Sequence, residues 1–475
     1  MMSILLVFPL AAAMILYIFK SDFLNRIIPV VYSLLYLVSS LIFIKIRPVD
    51  FLPYFSVDAL NLPFLLITSI LYFGVSLYNL NYFKGSAVST PKQTLYYISL
   101  MLFIFSMNGF MLSQHLGLNW VFIEATTLAT AYLIFFNRTD EALDAAWKYI
   151  FICTIGISFA FVGIIFISKG VGGSVEQLYF HNLYLNAKSI NRFWINIGFL
   201  FIVMGFGTKM GLAPMHSWLP DAHSEAPSPM SAMLSGTLLN MAFLGILRVY
   251  KIIAVADDLF FASPILMIMG FLSLMFSAAF ILKITNYKKM LAYSSIENMG
   301  IIAIGISLGG NAVFAAFLHL AGHALTKASF FLTAGNLLHR YKTKESHKIS
   351  SLFRNDYPNA LLWFLSFISI AALPPFPLFL SEWILLREMI SKGYWGLTAL
   401  FTLLVTVILY GMGKTIFKML SGNSDKNPDK HPSSPLSLLP QWLFILILLM
   451  LGIAMPESVM TLLNQAASAL GIAKG

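Results

Sequence analysis

Residues 207–229 read GTKMGLAPMHSWLPDAHSEAPSP, placing one lysine, two histidines, two carboxylates and four prolines between apolar segments. Each flanking segment, 193–212 and 229–250, is apolar and long enough to cross a bilayer. Proline inside a helix removes a backbone hydrogen bond and clashes with the preceding turn, so no straight helix passes through this stretch. A helix broken at membrane depth exposes carbonyls and amides, tolerated only where protein or a polar cavity replaces lipid. The stretch therefore predicts a helical membrane protein with a broken helix beside a polar cavity. A second stretch, AALPPFPLFLSEW at 371–383, has the same character. Paired interrupted helices in comparable halves point to an inverted-repeat transporter core, with a pair of ordinary proline kinks as the alternative.

Composition agrees. Of 475 residues, 59% are hydrophobic and 11% charged, whereas soluble domains carry about a quarter charged residues. The formal net charge of +10 is spread over short gaps between apolar runs. No basic–aromatic block accompanies it, so nucleic acid is excluded as a partner and the lipid bilayer is implied. Cys153 is the sole cysteine, which rules out an intrachain disulfide and a cysteine-held iron–sulfur cluster. Its setting, YIFICTIGISF, suits a small packing residue. The opening MMSILLVFPLAAAMILYIFK has no basic stretch before its apolar run, so it is expected to be a first spanning helix and not a cleaved signal.

Apolar runs fall at 4–19, 27–44, 57–80, 95–113, 118–136, 143–168, 193–212 and 229–250. They continue at 259–284, 290–308, 312–338, 359–389 (interrupted), 395–420 and 438–454. The expected fold is thus an all-α polytopic membrane protein with about 14 transmembrane helices. The expected organisation is N-terminal transmembrane helices at 1–94 and a core at 95–420 whose halves cover about 95–250 and 259–420. A polar loop, SGNSDKNPDKHPSSPLS at 421–437, precedes a last helix and tail at 438–475. The tail after Pro456 is too short and polar to span, and is expected to be interfacial or disordered. One set of alternate loops carries Lys20, Arg26, Lys84, Lys92, Arg138, Lys288, Lys289, Arg340, Lys342, Lys344, Lys348, Arg354, Lys426 and Lys430. The other carries Lys45, Arg47, Lys169, Lys188, Arg192, Lys251 and Lys392. The richer set should face the cytoplasm, which puts both termini on the outer side of an inner membrane.

A charge at the bilayer centre costs about 2.5–3.5 kcal/mol, so ionisable residues inside apolar runs are functional candidates. Glu124 lies in LGLNWVFIEATTLATAYLIF and Lys209 in FGTKMG. As neighbours they would form a tunable pair that can pass a proton, or a structural ion pair. His319, His323 and Lys327 recur every four residues in FLHLAGHALTKASFF, on one helix face. Histidine titrates near neutral pH, so this ladder suits a proton relay; packing histidines are the alternative, and a following lysine disfavours a metal site. Glu382 lies near the start of the resumed helix, whose N-terminus would favour its charge. Possible relay or cavity residues are Lys148, His216, Asp221, His223, Glu225, Asn240, Lys283 and Glu297. Thr139 can cap the helix beginning RTDEALDAAWKYI, with Asp140 and Glu141 in its first turn. Lys283, Lys288 and Lys289 read as surface anchors, Lys283 being the one deep enough to relay.

KMGLAPMHSWLPDAHSEAPSPMSAMLSG, KMLAYSSIENMGII and HLAGHALTKASFFLTAGN resemble signature runs of proton-conducting, antiporter-like membrane subunits. That superfamily includes subunits of respiratory complex I, membrane-bound [NiFe]-hydrogenases, formate hydrogenlyases and multi-subunit cation/proton antiporters. AHSEAPSP and Glu297 in SSIENMG most resemble the component F branch of hydrogenase 4. The resemblance covers roughly 95–420. It implies two inverted five-helix repeats with broken helices. It also implies a relay through Glu124, Lys209, His319, His323, Lys327 and Glu382. Many relatives have a central lysine where this chain has Asn240, so the path's middle departs from the pattern. The implied role is proton translocation in an energy-converting redox complex. No cofactor or metal is expected in this chain; iron–sulfur clusters and any Ni–Fe centre belong to partner membrane and hydrophilic subunits. The resemblance thus implies a subunit of a membrane oxidoreductase or translocase complex, with no redox centre or catalytic site of its own expected. The alternatives are a cation/proton antiporter subunit and a non-pumping scaffold.

Overall fold

The computed structural model describes residues 2–46, 49–51, 53–84, 88–422 and 434–472. Arg47 and most of the polar loop, at 423–433 with Lys426 and Lys430, lie outside the described residues. Helix starts follow local signals. After α1 (Met2–Leu6), α2 (Phe8–Phe19) and α3 (Asp22–Phe43), both α4 (Leu62–Tyr82) and α5 (Thr90–Leu112) carry proline in their first turn. The His115 ring accepts from Gly117 N to open α6 (Leu116–Ile134). Thr139 Oγ1 accepts from Ala142 N at 3.1 Å and caps α7 (Asp140–Gly170), as expected. A short α8 (Phe180–Leu185) precedes α9 (Arg192–Met210), which carries Lys209 to the first break.

Beyond that break come α10 (Leu219–Glu225) and α11 (Ser228–Met233), the latter joined through a π-helical turn at Leu234–Leu238 to α12 (Leu239–Val255). The second half comprises α13 (Leu259–Ile281), α14 (Tyr287–Leu308), α15 (Asn311–Tyr341), α16 (Leu352–Asn355), α17 (Tyr357–Ile370) and α18 (Pro377–Ser391). It closes with α19 (Trp395–Leu420), α20 (Pro435–Ile453) and α21 (Glu457–Ala469). Among the described residues, 11 helices are long and apolar enough to cross a membrane, and α2 and α17 are apolar but shorter. The polar α15, with 31 residues, is about 46 Å long at 1.5 Å per residue and also reaches across.

Helices meet through small residues, as association in lipid favours. A Cβ on Gly163 would stand 2.7 Å from Gly198 O, and one on Gly205 would stand 2.5 Å from the Ala160 Cβ, locking α7 to α9. Gly270 and Gly300 bring α13 and α14 equally close. Buried along nearly its whole length, α15 packs on α11, α14, α17, α18 and α20 and forms the axis of the bundle. Apolar side chains such as Leu128, Phe151, Ile155 and Leu403 line the outside, where lipid belongs.

Two features go beyond expectation. A small antiparallel hairpin pairs β1 (Val49–Phe51) with β2 (Phe55–Val57). The tail after Pro456 is the ordered helix α21, because Leu462, Leu463, Ala466 and Ala467 form an apolar stripe buried against α4 and α15. Its trailing Ile472 carbonyl accepts from Gly310 N at 3.1 Å.

Candidate functional site

The first break is built so that freed backbone groups find partners. Gly211 ends α9 at φ +79, and a Cβ there would also press 2.5 Å from Leu219 Cδ1, so glycine is required twice over. Leu212 N returns to Gly207 O at 2.9 Å, Trp218 Nε1 donates to Thr208 O at 2.8 Å, and Ala213 N donates to Ser273 Oγ at 2.9 Å. Lys209 is thereby fixed in the interior. Its Nζ donates to Tyr149 OH at 2.8 Å and Thr126 Oγ1 at 3.4 Å, and lies 4.7 Å from the Tyr149 ring centroid.

Glu124 is not in contact with Lys209. Its carboxylate accepts from Thr154 Oγ1 at 3.1 Å and Thr127 Oγ1 at 3.3 Å, and no ion pair among the described residues joins it to the lysine. The reason is helix rotation: Glu124 shares its face with the exposed Val121 and Leu128, whereas Lys209 reaches the buried Thr126 on the other side of α6. The expected pair is therefore not in direct contact; each partner is held by hydroxyls, and Glu124 stays within electrostatic reach of Lys209.

On α15 the ladder is present as spaced. His319 Nδ1 lies 2.9 Å from Ser381 Oγ and its Nε2 2.9 Å from Asn298 Oδ1, tying α15 to α18 and α14. His323 is fully buried and neither ring nitrogen has a partner among the described residues. Lys327 Nζ donates to Leu291 O at 2.7 Å and has no described carboxylate within ion-pair distance. Glu297 is buried on α14, within electrostatic reach of Lys327 and of the half-buried Glu382. Asn240 is buried near the start of α12; its Nδ2 donates to Gly236 O at 2.8 Å while Oδ1 is unpartnered among the described residues. It follows the π turn, which abuts α15 so tightly that a Cβ on Gly236 would stand 3.1 Å from Ala324 O. Such turns concentrate at functional positions.

The remaining candidates separate. Asp221 is pinched between Lys148 at 3.1 Å and Lys289 at 2.7 Å, and Glu225 pairs with Lys344 at 2.6 Å. These partly exposed pairs close the lysine-rich end of the bundle and contribute about 0–1 kcal/mol each. The His216 ring packs 4.9 Å from Phe276, with Nδ1 unpartnered among the described residues. Lys283 is exposed just beyond α13 and is not deep enough to relay, because the helix ends at Ile281. The buried member of that cluster is Lys288, read from sequence as an anchor. Only 1% exposed, it donates to Ala226 O at 2.7 Å and Ser224 O at 3.1 Å. Its spacing was the signal: Lys288, Leu291, Ser295 and Asn298 share one face of α14, which meets the end of α10, the π turn and α15.

Broken helices, a polar axis and buried ionisable groups define a multi-pass membrane subunit of antiporter-like build. Residues 113–409 match the family described as NADH:quinone oxidoreductase/Mrp antiporter, TM, and the chain belongs to that family. It is 34% identical over 468 residues to the Hydrogenase-4 component F homolog of Methylacidiphilum infernorum (isolate V4), covering 96% of each chain. It is 24% identical over 407 residues to an Na(+)/H(+) antiporter subunit of Bacillus subtilis (strain 168), covering 85% of this chain and 81% of that one. A chain in the structure of the membrane-bound sulfane sulfur reductase, an archaeal respiratory membrane complex, superposes with a TM-score of 0.89 at 22% identity. That match covers 99% of this chain and 97% of the other. A chain of the Mrp complex from Dietzia sp. DQ12-45-1b gives 0.86 at 18% identity, covering 100% and 97%. Both likenesses establish the fold.

Proposed function

We propose that this chain is the proton-translocating membrane subunit of an energy-converting redox complex of the hydrogenase 4 or formate hydrogenlyase type. Protons move through Glu124, Lys209, Lys327, His323, His319 and Glu382, with electron transfer in partner subunits. The observation that carries the reading is the set of buried Lys209, Glu297, His319, His323 and Lys327, none in an ion pair among the described residues. Each charge costs about 2.5–3.5 kcal/mol at membrane depth. A fold that retains several without cancelling them needs their protonation. The likeness to a hydrogenase-4 component F homolog supports the redox branch. The half-buried Glu124, on a lipid-depth face beside exposed Leu128 and Phe151, supports a neighbouring subunit there. In this reading the core at 95–420 holds two inverted repeats within 14 spans, and the lysine-rich end faces the cytoplasm.

Lys209→Ala or Glu124→Ala in the purified complex, reconstituted with a pH-sensitive dye, abolishes coupled proton movement while assembly persists. Pumping at the parental rate in either variant rejects the mechanism. A second reading, a cation/proton antiporter subunit, is favoured by the likeness to the Na(+)/H(+) antiporter protein of Bacillus subtilis. It predicts proton movement driven by a sodium gradient with no redox partner.

A further inference from the structure

We propose that Lys288 and His223 form the entrance through which protons reach Lys327 from the lysine-rich end of the bundle. The inference rests on the proposed function and adds to it a route from that end.

Lys288 is an unusual buried cation. Its ammonium meets no described carboxylate within ion-pair distance; it is held by Ser224 O and Ala226 O, which flank the elbow between α10 and α11. Outside it lies the partly exposed Glu225–Lys344 pair, and Asn286 Nδ2 donates to Ser224 Oγ at 3.0 Å on the same elbow. The lysine therefore sits one layer beneath the surface. Carbonyl oxygens cannot take its proton, so whatever it releases must pass inward or return outward through water.

The inward neighbour is His223. It is fully buried, and neither of its ring nitrogens has a partner among the described residues. Its ring stacks 5.0 Å from Phe331, one turn past Lys327 on α15. Both Lys288 and Lys327 lie within its electrostatic reach, and His323 lies within reach of His223 and Lys327. Ser228 Oγ, Ser294 Oγ and both nitrogens of His323 are likewise buried and without a partner among the described residues, on the helices that meet here. One such group costs about 1–3 kcal/mol. A cluster of them on packed helices is satisfied by internal water.

The chemistry is proton transfer alone. The Lys288 ammonium gives a proton through water to the neutral imidazole of His223 and becomes an amine. The imidazolium passes a proton to the Lys327 amine, and Lys288 is recharged from the aqueous side.

A purely structural Lys288 would serve by capping the two carbonyls, and arginine can do the same. Arginine cannot release its proton. Lys288→Arg and His223→Phe are therefore compared with Lys209→Ala in the reconstituted complex. Proton movement falls at least ten-fold in Lys288→Arg and in His223→Phe, with the complex intact by mass. Parental rates in Lys288→Arg or His223→Phe overturn the entrance. If Lys209→Ala still abolishes pumping in that case, the proposed function stands without this route; if it does not, both fail. A hydroxyl seam between α15 and α17 offers a rival path, through Thr326–Ser369 at 2.7 Å and Ser329–Ser366 at 2.9 Å. Loss of pumping in Ser366→Ala/Ser369→Ala, with Lys288→Arg unaffected, would transfer the entrance to that seam.

Discussion

Replacing Asp58 by alanine removes the one described carboxylate that compensates a deeply buried guanidinium. Arg248 Nη2 lies 2.8 Å from Asp58 Oδ2; the arginine side chain is 2% exposed and the aspartate 30%. The guanidinium stacks over Phe180 at 4.9 Å, and its Nε has no partner among the described residues. Asp58 also accepts from Leu60 N and Asn61 N, each at 2.9 Å, and from Gln114 Nε2 at 3.0 Å. The knot thus joins the start of α4 and the end of α5 to the middle of α12, the helix that carries Asn240. Deleting the acid strands the cation in a dry place, which costs about 3–5 kcal/mol. Deleting the cation in Arg248→Met leaves a partly hydrated carboxylate with three other donors, a loss of about 1–3 kcal/mol. Unfolding in mixed micelles of mild detergent and SDS, followed by tryptophan fluorescence, measures both. The reasoning fails if Asp58→Ala costs no more than Arg248→Met. Acid supplies a second arm. Burial alone would raise the Asp58 carboxyl, but the Arg248 charge and the hydrogen bonds from Asn61, Gln114 and Arg248 outweigh it and hold the group below its ordinary 3.8. A depressed carboxylate stabilises the fold fully above its unfolded value, and that stability is lost as pH falls through the folded value. The parental protein should therefore lose this contribution below about pH 4, and Asp58→Ala should have none to lose there.

Three further outcomes follow from the geometry. Gly211→Ala forces a side chain into the left-handed region and onto Leu219; it should cost about 1–2 kcal/mol in the same unfolding assay, and parental stability would refute the cap. Trp218→Phe removes the donor to Thr208 O and should cost about 1 kcal/mol, with a larger loss of proton movement because that bond sets the end of α9 beside Lys209. Asn240→Leu gives up only a hydrogen bond within its own helix turn, so stability should change little while proton movement falls several-fold; unchanged flux would remove Asn240 from the path.

The fold class was legible because its causes are local or compositional. Too few charges for a soluble surface, runs of bilayer length, Thr139 ahead of Asp140 and Glu141, and prolines at 214, 374, 375 and 377 determine where helices start, stop and break. The ladder of His319, His323 and Lys327 was legible for the same reason, since one helix fixes its own four-residue spacing. What lies between helices was not. Lys209 reaches Thr126 while Glu124 binds Thr127 and Thr154 without touching the lysine, Lys283 is exposed while Lys288 is buried, and the tail folds as α21 onto α4 and α15. Those outcomes depend on how each helix is rotated and how deeply it sits. Rotation and depth are set by contacts such as Gly163 on Gly198 and Gly236 on Ala324, between residues distant in the chain. A periodic pattern states which side chains share a face, whereas only the packed neighbours decide what that face meets.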